Sequence, residues 1–306
     1  MSILLDHHPR VLVQGITGKE GGRAAVAMRV YLPAGKAGGT NVVCGVTPGK
    51  GGQMAGGVPV YNTVAEAIGA HPGIHVSAVY VPPQFAKSAI LESIAAGIPL
   101  IHVVTERMPI RDVAECLAAA RSRGVRILGP ASVGVIAPGR GRIGMIGGDD
   151  PSRIYAPGPI GVISRSGGMT NELSWMLRRA GLGQSTSVAI GGDYLIGTSY
   201  ADLLPMFETD PLTKGVVVFG EVGGLYEFEI ADMIRARRFT KPIAVFIGGR
   251  FGKNLPAGTP IGHAGALIER GRGTVEEKEE ALRAVGVHIA ERYEELPSLI
   301  RTACNL

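Results

Sequence analysis

The chain reads as an α/β protein built on parallel sheets, because short β-branched runs alternate with helical patterns along its length and glycine-rich turns follow several of the apolar runs. Its 306 residues, 45% hydrophobic and 19% charged, are enough for two cores of about 150 residues each. Forty-six glycines and a single tryptophan suit strand-to-helix turns that bind ligands through backbone groups rather than an aromatic-lined cavity.

Strands are expected at Arg10–Gln14, Asn41–Val46, Ser77–Val81, Leu100–Val104 and Arg126–Leu128, with helices near Gly22–Tyr31, Val64–Ala70, Gln84–Ala96 and Ile110–Arg123 between them. Prolines at 130, 138, 151, 157 and 159 then interrupt the alternation. Such a passage marks a boundary, and it divides the chain into 1–135, a connecting segment 136–158, and 159–306. A second series follows, with strands at Ile160–Ser164, Ser185–Ile190, Gly215–Gly220, Ala244–Gly248 and Val287–Ile289. Its helices lie near Met169–Gly181, Tyr200–Thr209, Tyr226–Arg238, Glu276–Val285 and Tyr293–Ala303. Thr274 followed by Glu277 is a capping box that opens one of them.

The net charge is +5, but the basic residues are interspersed with acids, and Arg235, Arg237 and Arg238 read as a solvated helix face. An anionic small ligand uses that charge better than a nucleic acid does. Three widely spaced cysteines, Cys44, Cys116 and Cys304, point to neither a disulfide framework nor a zinc site. No apolar run approaches the roughly 20 residues needed to cross a bilayer, and the N-terminus lacks a signal-peptide core, so a cytoplasmic location is expected.

Four places carry chemistry. Residues 258–268 set His263 among glycines and alanines, where an imidazole has room to meet a bulky reacting group. The run Gly15-Ile-Thr-Gly-Lys-Glu-Gly21 follows the first strand and opens the first helix, whose backbone amides attract phosphate. Its glycine spacing differs from the dinucleotide fingerprint. The second strand ends in Val46-Thr-Pro-Gly-Lys-Gly-Gly52, where Lys50 suits a phosphate better than a ribose hydroxyl, and both features weigh against NAD. In Ser164-Arg-Ser-Gly-Gly-Met-Thr-Asn-Glu172, Ser166 can cap a helix while the amides of Gly167 and Gly168 face an anion. A nucleophilic serine at this turn would need a Gly-x-Ser-x-Gly elbow, which is absent. Glu106 and Glu221 each end an apolar strand, and either could hold one nitrogen of His263 while the other acts as a nucleophile.

Taken in order, Gly-Ile-Thr-Gly-Lys-Glu-Gly, Gly-Val-Thr-Pro-Gly-Lys-Gly-Gly, Ser-Arg-Ser-Gly, Ile-Gly-Gly-Asp, Gly-Glu-Val-Gly-Gly and Gly-His-Ala-Gly-Ala resemble the α subunit of succinyl-CoA synthetase over nearly the whole chain. The resemblance implies a Rossmann-like CoA-binding domain followed by a flavodoxin-like, doubly wound domain. It implies CoA contacts from Thr17, Gly18, Lys19, Glu20, Lys50, Val104, Thr105 and Glu106, and transient phosphorylation of His263, oriented by Glu221 and cradled by Ser166, Gly167 and Gly168. It further implies a β-type ATP-grasp partner subunit that brings ATP and Mg²⁺, and hence a hetero-oligomer.

Two segments depart from the succinate-specific pattern. Gly129-Pro-Ala-Ser-Val-Gly134 stands where those relatives read Gly-Pro-Asn-Cys-Pro-Gly, and Asn171 stands where their substrate-contacting tyrosine would be. A short amide opens volume and offers a donor and an acceptor, as a larger, more oxygenated acid requires. With Ile143-Gly-Met-Ile-Gly-Gly148, these segments are similar to ATP-citrate lyase and citryl-CoA synthetase. The chain ends at Leu306 without the lyase domain that follows in ATP-citrate lyase, so the small subunit of a citryl-CoA synthetase is expected, with succinate or malate as the nearest alternative acids. A CoA-binding regulatory module without catalysis and a nicotinamide-dependent dehydrogenase are the readings from other classes.

Overall fold

A computed structural model describes residues 3–5, 9–31, 40–251, 262–266, 268 and 272–306. Of the segment 258–268 noted above, residues 258–261 and 267 lie outside the described ones.

The first sheet has seven strands: β1 (Arg10–Gln14), β2 (Asn41–Val46), β3 (Met54–Ala55), β4 (Val58–Tyr61), β5 (Val76–Val79), β6 (Leu100–Val103) and β7 (Arg126–Leu128). Their order is β3-β4-β2-β1-β5-β6-β7. All neighbours are parallel except the β3–β4 pair. The helices α1 (Lys19–Val30), α2 (Val64–Ala70), α3 (Pro83–Ala95) and α4 (Ile110–Ser122) make the crossovers. This is the Rossmann-like arrangement, with its reversal of strand order between β1 and β5.

The second sheet comprises β8 (Gly134–Ala137), β9 (Gly141–Gly144), β10 (Pro157–Ser164), β11 (Gln184–Ala189), β12 (Gly215–Glu221), β13 (Ile243–Gly248) and β14 (His288–Ile289), ordered β14-β13-β12-β10-β11-β8-β9. Its parallel part, read from β10 onward, has the flavodoxin-like order 2-1-3-4-5. Five helices belong to it: α5 (Gly167–Arg179), α6 (Tyr200–Thr209), α7 (Tyr226–Arg235), α8 (Val275–Arg283) and α9 (Leu296–Ala303). The Thr274–Glu277 capping box at the start of α8 is formed.

Three expectations need correction. The proline-rich passage is more than a connection: β8 and β9 form an antiparallel pair inside it, and β8 extends the second sheet by pairing antiparallel with β11. Glycines conceal this strand pair in the sequence, yet at Gly134 a Cβ would collide with the Ile143 carbonyl, so the close strand approach requires glycine there. The small strands β3 and β4 were not expected either, because Pro59 and the Gly56-Gly57 turn obscure an edge hairpin. Helix α7 ends at Arg235, with Arg237 in the left-handed region at φ 53°, so only the first of the three arginines lies on the helix.

The β8–β9 pair also ties the two sheets together. Arg142 of β9 is fully buried and donates to the carbonyls of Ile146 and Gly148 on one side and to Ala27 of α1 on the other, at 3.2, 2.6 and 2.6 Å. One apolar cluster runs through this seam, joining Val11, Val13 and Met28 to Val135, Ile143, Ile163 and Val188. The carboxyl ends of both parallel sheets, where ligands of open α/β folds collect, carry every candidate residue except those of the His263 loop.

Candidate active site and CoA cradle

The turn after β1 is a close approach of backbone to backbone. Gly15 has φ +76°, and a Cβ there would run into the carbonyl of Tyr80. Gly18 caps α1 without a side chain, so Lys19 and Glu20 fall in the first turn of the helix, one turn earlier than the sequence suggests. The first amides of a helix have no partner within it, and such an end attracts a phosphate. Thr17 donates to the hydroxyl of Thr47 at 3.2 Å, which links this turn to the loop that carries Lys50. Lys50 itself is exposed, and the flanking Gly49 and Gly52 have nothing within 4 Å of where a side chain would begin. After β6, Thr105 is buried and donates to the carbonyl of Val81 at 2.7 Å, while Glu106 stays exposed. The structure thus brings Thr17, Gly18, Lys19, Glu20, Lys50, Val104, Thr105 and Glu106 to one sheet end, where the two lysines stand among two glutamates.

The second centre lies at the ends of β10 and β12. His263 Nδ1 and Glu221 Oε1 are 2.7 Å apart, and Glu221 is only 8% exposed. A carboxylate accepts, so Nδ1 carries the proton and Nε2 presents a lone pair. The hydrogen bond to Glu221 raises the imidazole pKa above its ordinary 6.5, while partial burial opposes the rise. Arg165 also lowers it through space and Glu106 raises it, so both groups lie within electrostatic reach of the ring. Of the two carboxylates considered, Glu221 makes the contact; Glu106 acts through charge alone. The backbone of the loop is anchored by the Gly265 N–H, which donates to the carbonyl of Gly192 at 3.0 Å. The imidazole lies directly over Gly192, where an added Cβ would sit 2.6 Å from the ring.

Ser166 caps α5 by accepting from the Met169 N–H at 3.3 Å, and Gly167 and Gly168 form the first turn of that helix. Gly167 is pressed against Val133, whereas Gly168 is open. The residue just before the cap, Arg165, is 1% exposed; it donates to the carbonyl of Asp193 at 2.9 Å and lies against Gly265 and the ring of Tyr226. One buried guanidinium therefore lies between the cradle and the histidine loop. Burial first, and then the charge of Glu106, push the carboxyl of Asp193 up. A cleft of about 340 Å³ runs beside Ala264, between Asp193–Leu195 and Arg107–Met108.

The side-chain oxygen of Asn171 is engaged within the fold. Its Oδ1 accepts both the Gly147 N–H at 3.1 Å and the Tyr155 hydroxyl at 2.7 Å, so the acceptor is spent on holding the 145–148 loop against α5. Gly192, Asp193 and Arg165 had no role assigned from sequence, although each lies inside a motif quoted above; Lys278 and Glu227 carried no signal at all.

Among the described residues no group of three or more His, Cys, Asp and Glu side chains could hold a metal ion, and no helix is long and apolar enough to cross a membrane.

Comparison with known proteins identifies the family. A CoA-binding domain family matches residues 6–107, and a CoA-ligase family matches residues 163–288. The succinate–CoA ligase [ADP-forming] subunit α 1 of Archaeoglobus fulgidus is 45% identical over 95% of this chain and 94% of its own length. A subunit of the ADP-forming sulfoacetate–CoA ligase of Bilophila wadsworthia is 41% identical, covering 98% of this chain and 99% of that one. Among solved structures, ATP citrate lyase from Methanothrix soehngenii in complex with citrate and coenzyme A superposes with a TM-score of 0.90 at 27% identity. It covers 99% of this chain, which spans half the length of that lyase. With a CoA-binding domain, a CoA-ligase domain and relatives of this identity along its full length, the chain belongs to the α-subunit family of ADP-forming CoA ligases.

Proposed function

We propose that this chain is the α subunit of an ATP-dependent carboxylic acid–CoA ligase that works through a phosphohistidine at His263. The observation that carries the reading is the 2.7 Å contact between His263 Nδ1 and Glu221 Oε1, which leaves Nε2 as the free nucleophile. In the first step Nε2 attacks the γ-phosphorus of ATP, the bond from that phosphorus to the bridging oxygen breaks, and ADP leaves. Glu221 stabilises the imidazole as it gains positive character, and the capped N-terminus of α5 at Ser166, Gly167 and Gly168 faces the phosphoryl oxygens. A carboxylate oxygen of the acid then displaces the imidazole from phosphorus, giving an acyl phosphate and restoring neutral His263. Bound CoA supplies the thiol that completes the sequence, forming the thioester as phosphate leaves. In this chain Thr17, Gly18, Lys19, Glu20, Lys50, Val104 and Thr105 would hold the cofactor, with Glu106 at the border of the two centres. ATP and Mg²⁺ would come on a β-type ATP-grasp partner, making the enzyme a hetero-oligomer.

The acid we assign is citrate, which makes the reaction citrate, CoA and ATP to citryl-CoA, ADP and phosphate. The cradle sequence Ser166-Gly-Gly-Met-Thr-Asn-Glu172 and the likeness to ATP citrate lyase support it. In that reading Asn171 acts by shaping the site through the 145–148 loop rather than by touching the acid. A second reading, a short dianion such as succinate, draws support from the 45% identity to a succinate–CoA ligase α subunit.

The test is to copurify the chain with a candidate ATP-grasp β subunit from the same genome, add γ-labelled ATP, and chase acid-labile label with CoA plus citrate, succinate or sulfoacetate. Discharge by citrate supports both parts; discharge by another acid keeps the relay and replaces the substrate. Absence of label with a nucleotide-binding partner present rejects the relay in favour of a CoA-binding module.

A further inference from the structure

Beneath the His263–Glu221 pair lies a charged couple for which the relay has so far required no role. Lys278 of α8 and Glu227 of α7 are both 0% exposed. The Lys278 ammonium donates to one oxygen of Glu227, to the carbonyl of Glu221 at 2.6 Å and to the carbonyl of Gly223 at 2.5 Å. The other Glu227 oxygen accepts the Glu221 N–H at 3.1 Å. Glu221 is the last residue of β12, and both of its backbone polar groups are therefore served by this one ion pair.

A buried pair of this kind is not needed for stability, since apolar side chains of similar volume do that work as well or better once the cost of desolvating two charges is counted. What the charges supply here is direction. Apart from the nearby Tyr200 hydroxyl, the pair is directed at the backbone of the turn Glu221–Gly223, and hydrogen bonds to ionised groups are short and strongly oriented. The carboxylate of Glu221 has no such fastening of its own: one oxygen meets His263, and the other has no partner among the described residues. Its aim is set by the backbone that carries it.

We propose that Lys278 and Glu227 are positioning residues for the ligase reaction: by clamping the N–H and C=O of Glu221 they hold its carboxylate on His263 Nδ1, and so fix the tautomer and the aim of Nε2. The consequence for catalysis rests on the reading that His263 accepts the phosphoryl group; the positioning itself does not. The charged groups facing His263 are Glu221, Arg165, Glu106 and Asp193, and those facing Lys278 are Glu227, Glu221 and Arg165. The Tyr200 hydroxyl, also near Glu227, donates to the carbonyl of Phe219 at 3.0 Å. None of these other groups contacts the Glu221 backbone directly, so removing the pair releases Glu221 without removing any of them.

The double variant Lys278→Met/Glu227→Gln deletes both charges together and leaves no lone buried ion. In the complete complex, the rate of label incorporation into His263 should fall about 10- to 100-fold, as when an orienting partner behind a reactive ligand is lost. The KM for CoA should stay unchanged, and the acid limb of the rate should move to lower pH. Independently of activity, ¹⁵N-imidazole spectra of the full chain should show His263 titrating at lower pH, with less of the Nδ1-protonated tautomer. A folded double variant with wild-type labelling rate, acid limb and imidazole spectrum overturns the proposal. Should the wild-type complex take no label at all, the relay reading fails while the imidazole spectra still decide the positioning role. If the double variant does not fold, Glu227→Gln, which keeps an oxygen for the Glu221 N–H, should move the His263 titration in the same direction by a smaller amount; an unmoved titration overturns the proposal.

Discussion

Substitution of Gly192 by Ala should separate the chemistry of His263 from the stability of the fold. A Cβ at this position would stand 2.6, 2.7 and 2.9 Å from Cγ, Cδ2 and Nδ1 of the imidazole. Carbon atoms settle at about 3.5 Å or more, so the ring must retreat by about 0.9 Å. The His263–Glu221 contact, now 2.7 Å, would open well beyond hydrogen-bond length unless Glu221 followed. Glu221 cannot readily follow, because its backbone is clamped by Lys278 and Glu227. A displacement of roughly 1 Å costs about 100-fold in rate when it spoils the alignment of reacting atoms. The cost to folding should be small, because the side chain of His263 is 40% exposed and free to swing aside. The assay is pulse labelling of the complex with γ-labelled ATP, alongside thermal unfolding of the same preparation. Label incorporation at the wild-type rate would refute the inference that the seat of the ring on Gly192 matters, and a large loss of stability would refute the inference that the ring yields.

Four further outcomes are expected. Because Glu221 raises the pKa of His263 and phosphoryl acceptance needs the neutral ring, labelling by the wild-type complex should rise with pH through a midpoint above 6.5. In Glu221→Gln the remaining influences of burial and Arg165 push the imidazole down, so a pH–rate series should show the midpoint falling while the plateau drops about 10- to 100-fold; an unmoved midpoint would contradict the assignment. Asn171→Ala deprives the Gly147 N–H and the Tyr155 hydroxyl of their acceptor, which should cost about 1–3 kcal/mol in urea unfolding and alter the relative discharge rates with citrate and succinate. Lys50→Ala should weaken CoA binding about fivefold at low salt and progressively less as salt is added, read by calorimetry; salt-independent loss would mean that Lys50 acts through structure.

Much of the site was legible because its groups sit where strands end. Gly15, Lys50, Glu106, Ser166 and Glu221 each follow an apolar run, and in parallel α/β sheets such positions converge on one edge. The parallel strands and most helices were legible for the same reason, since a strand buried on both faces reads as a continuous apolar run and the helices between carry their own period. The β8–β9 pair was not legible, because the glycines that permit its tight approach are the residues that normally announce a turn. The start of α1 was placed too late for a related reason: a helix capped by Gly18 shows no side-chain signal.

By itself the sequence determined the two-domain α/β plan and the CoA-binding and ligase character, and it singled out His263 as the residue proposed to react, because each depends on a local pattern or an ordered set of motifs. As strand-end acids Glu106 and Glu221 are equivalent, and only the family resemblance favoured Glu221 until the tertiary structure put its carboxylate on the His263 ring. It alone turned Asn171 inward to the 145–148 loop, and it alone brought Lys278 and Glu227, 51 residues apart in the chain, under the turn that carries Glu221. Those facts depend on where the backbone's unserved N–H and C=O groups finally point, and a buried backbone group draws its partner from whatever segment lies nearest in space.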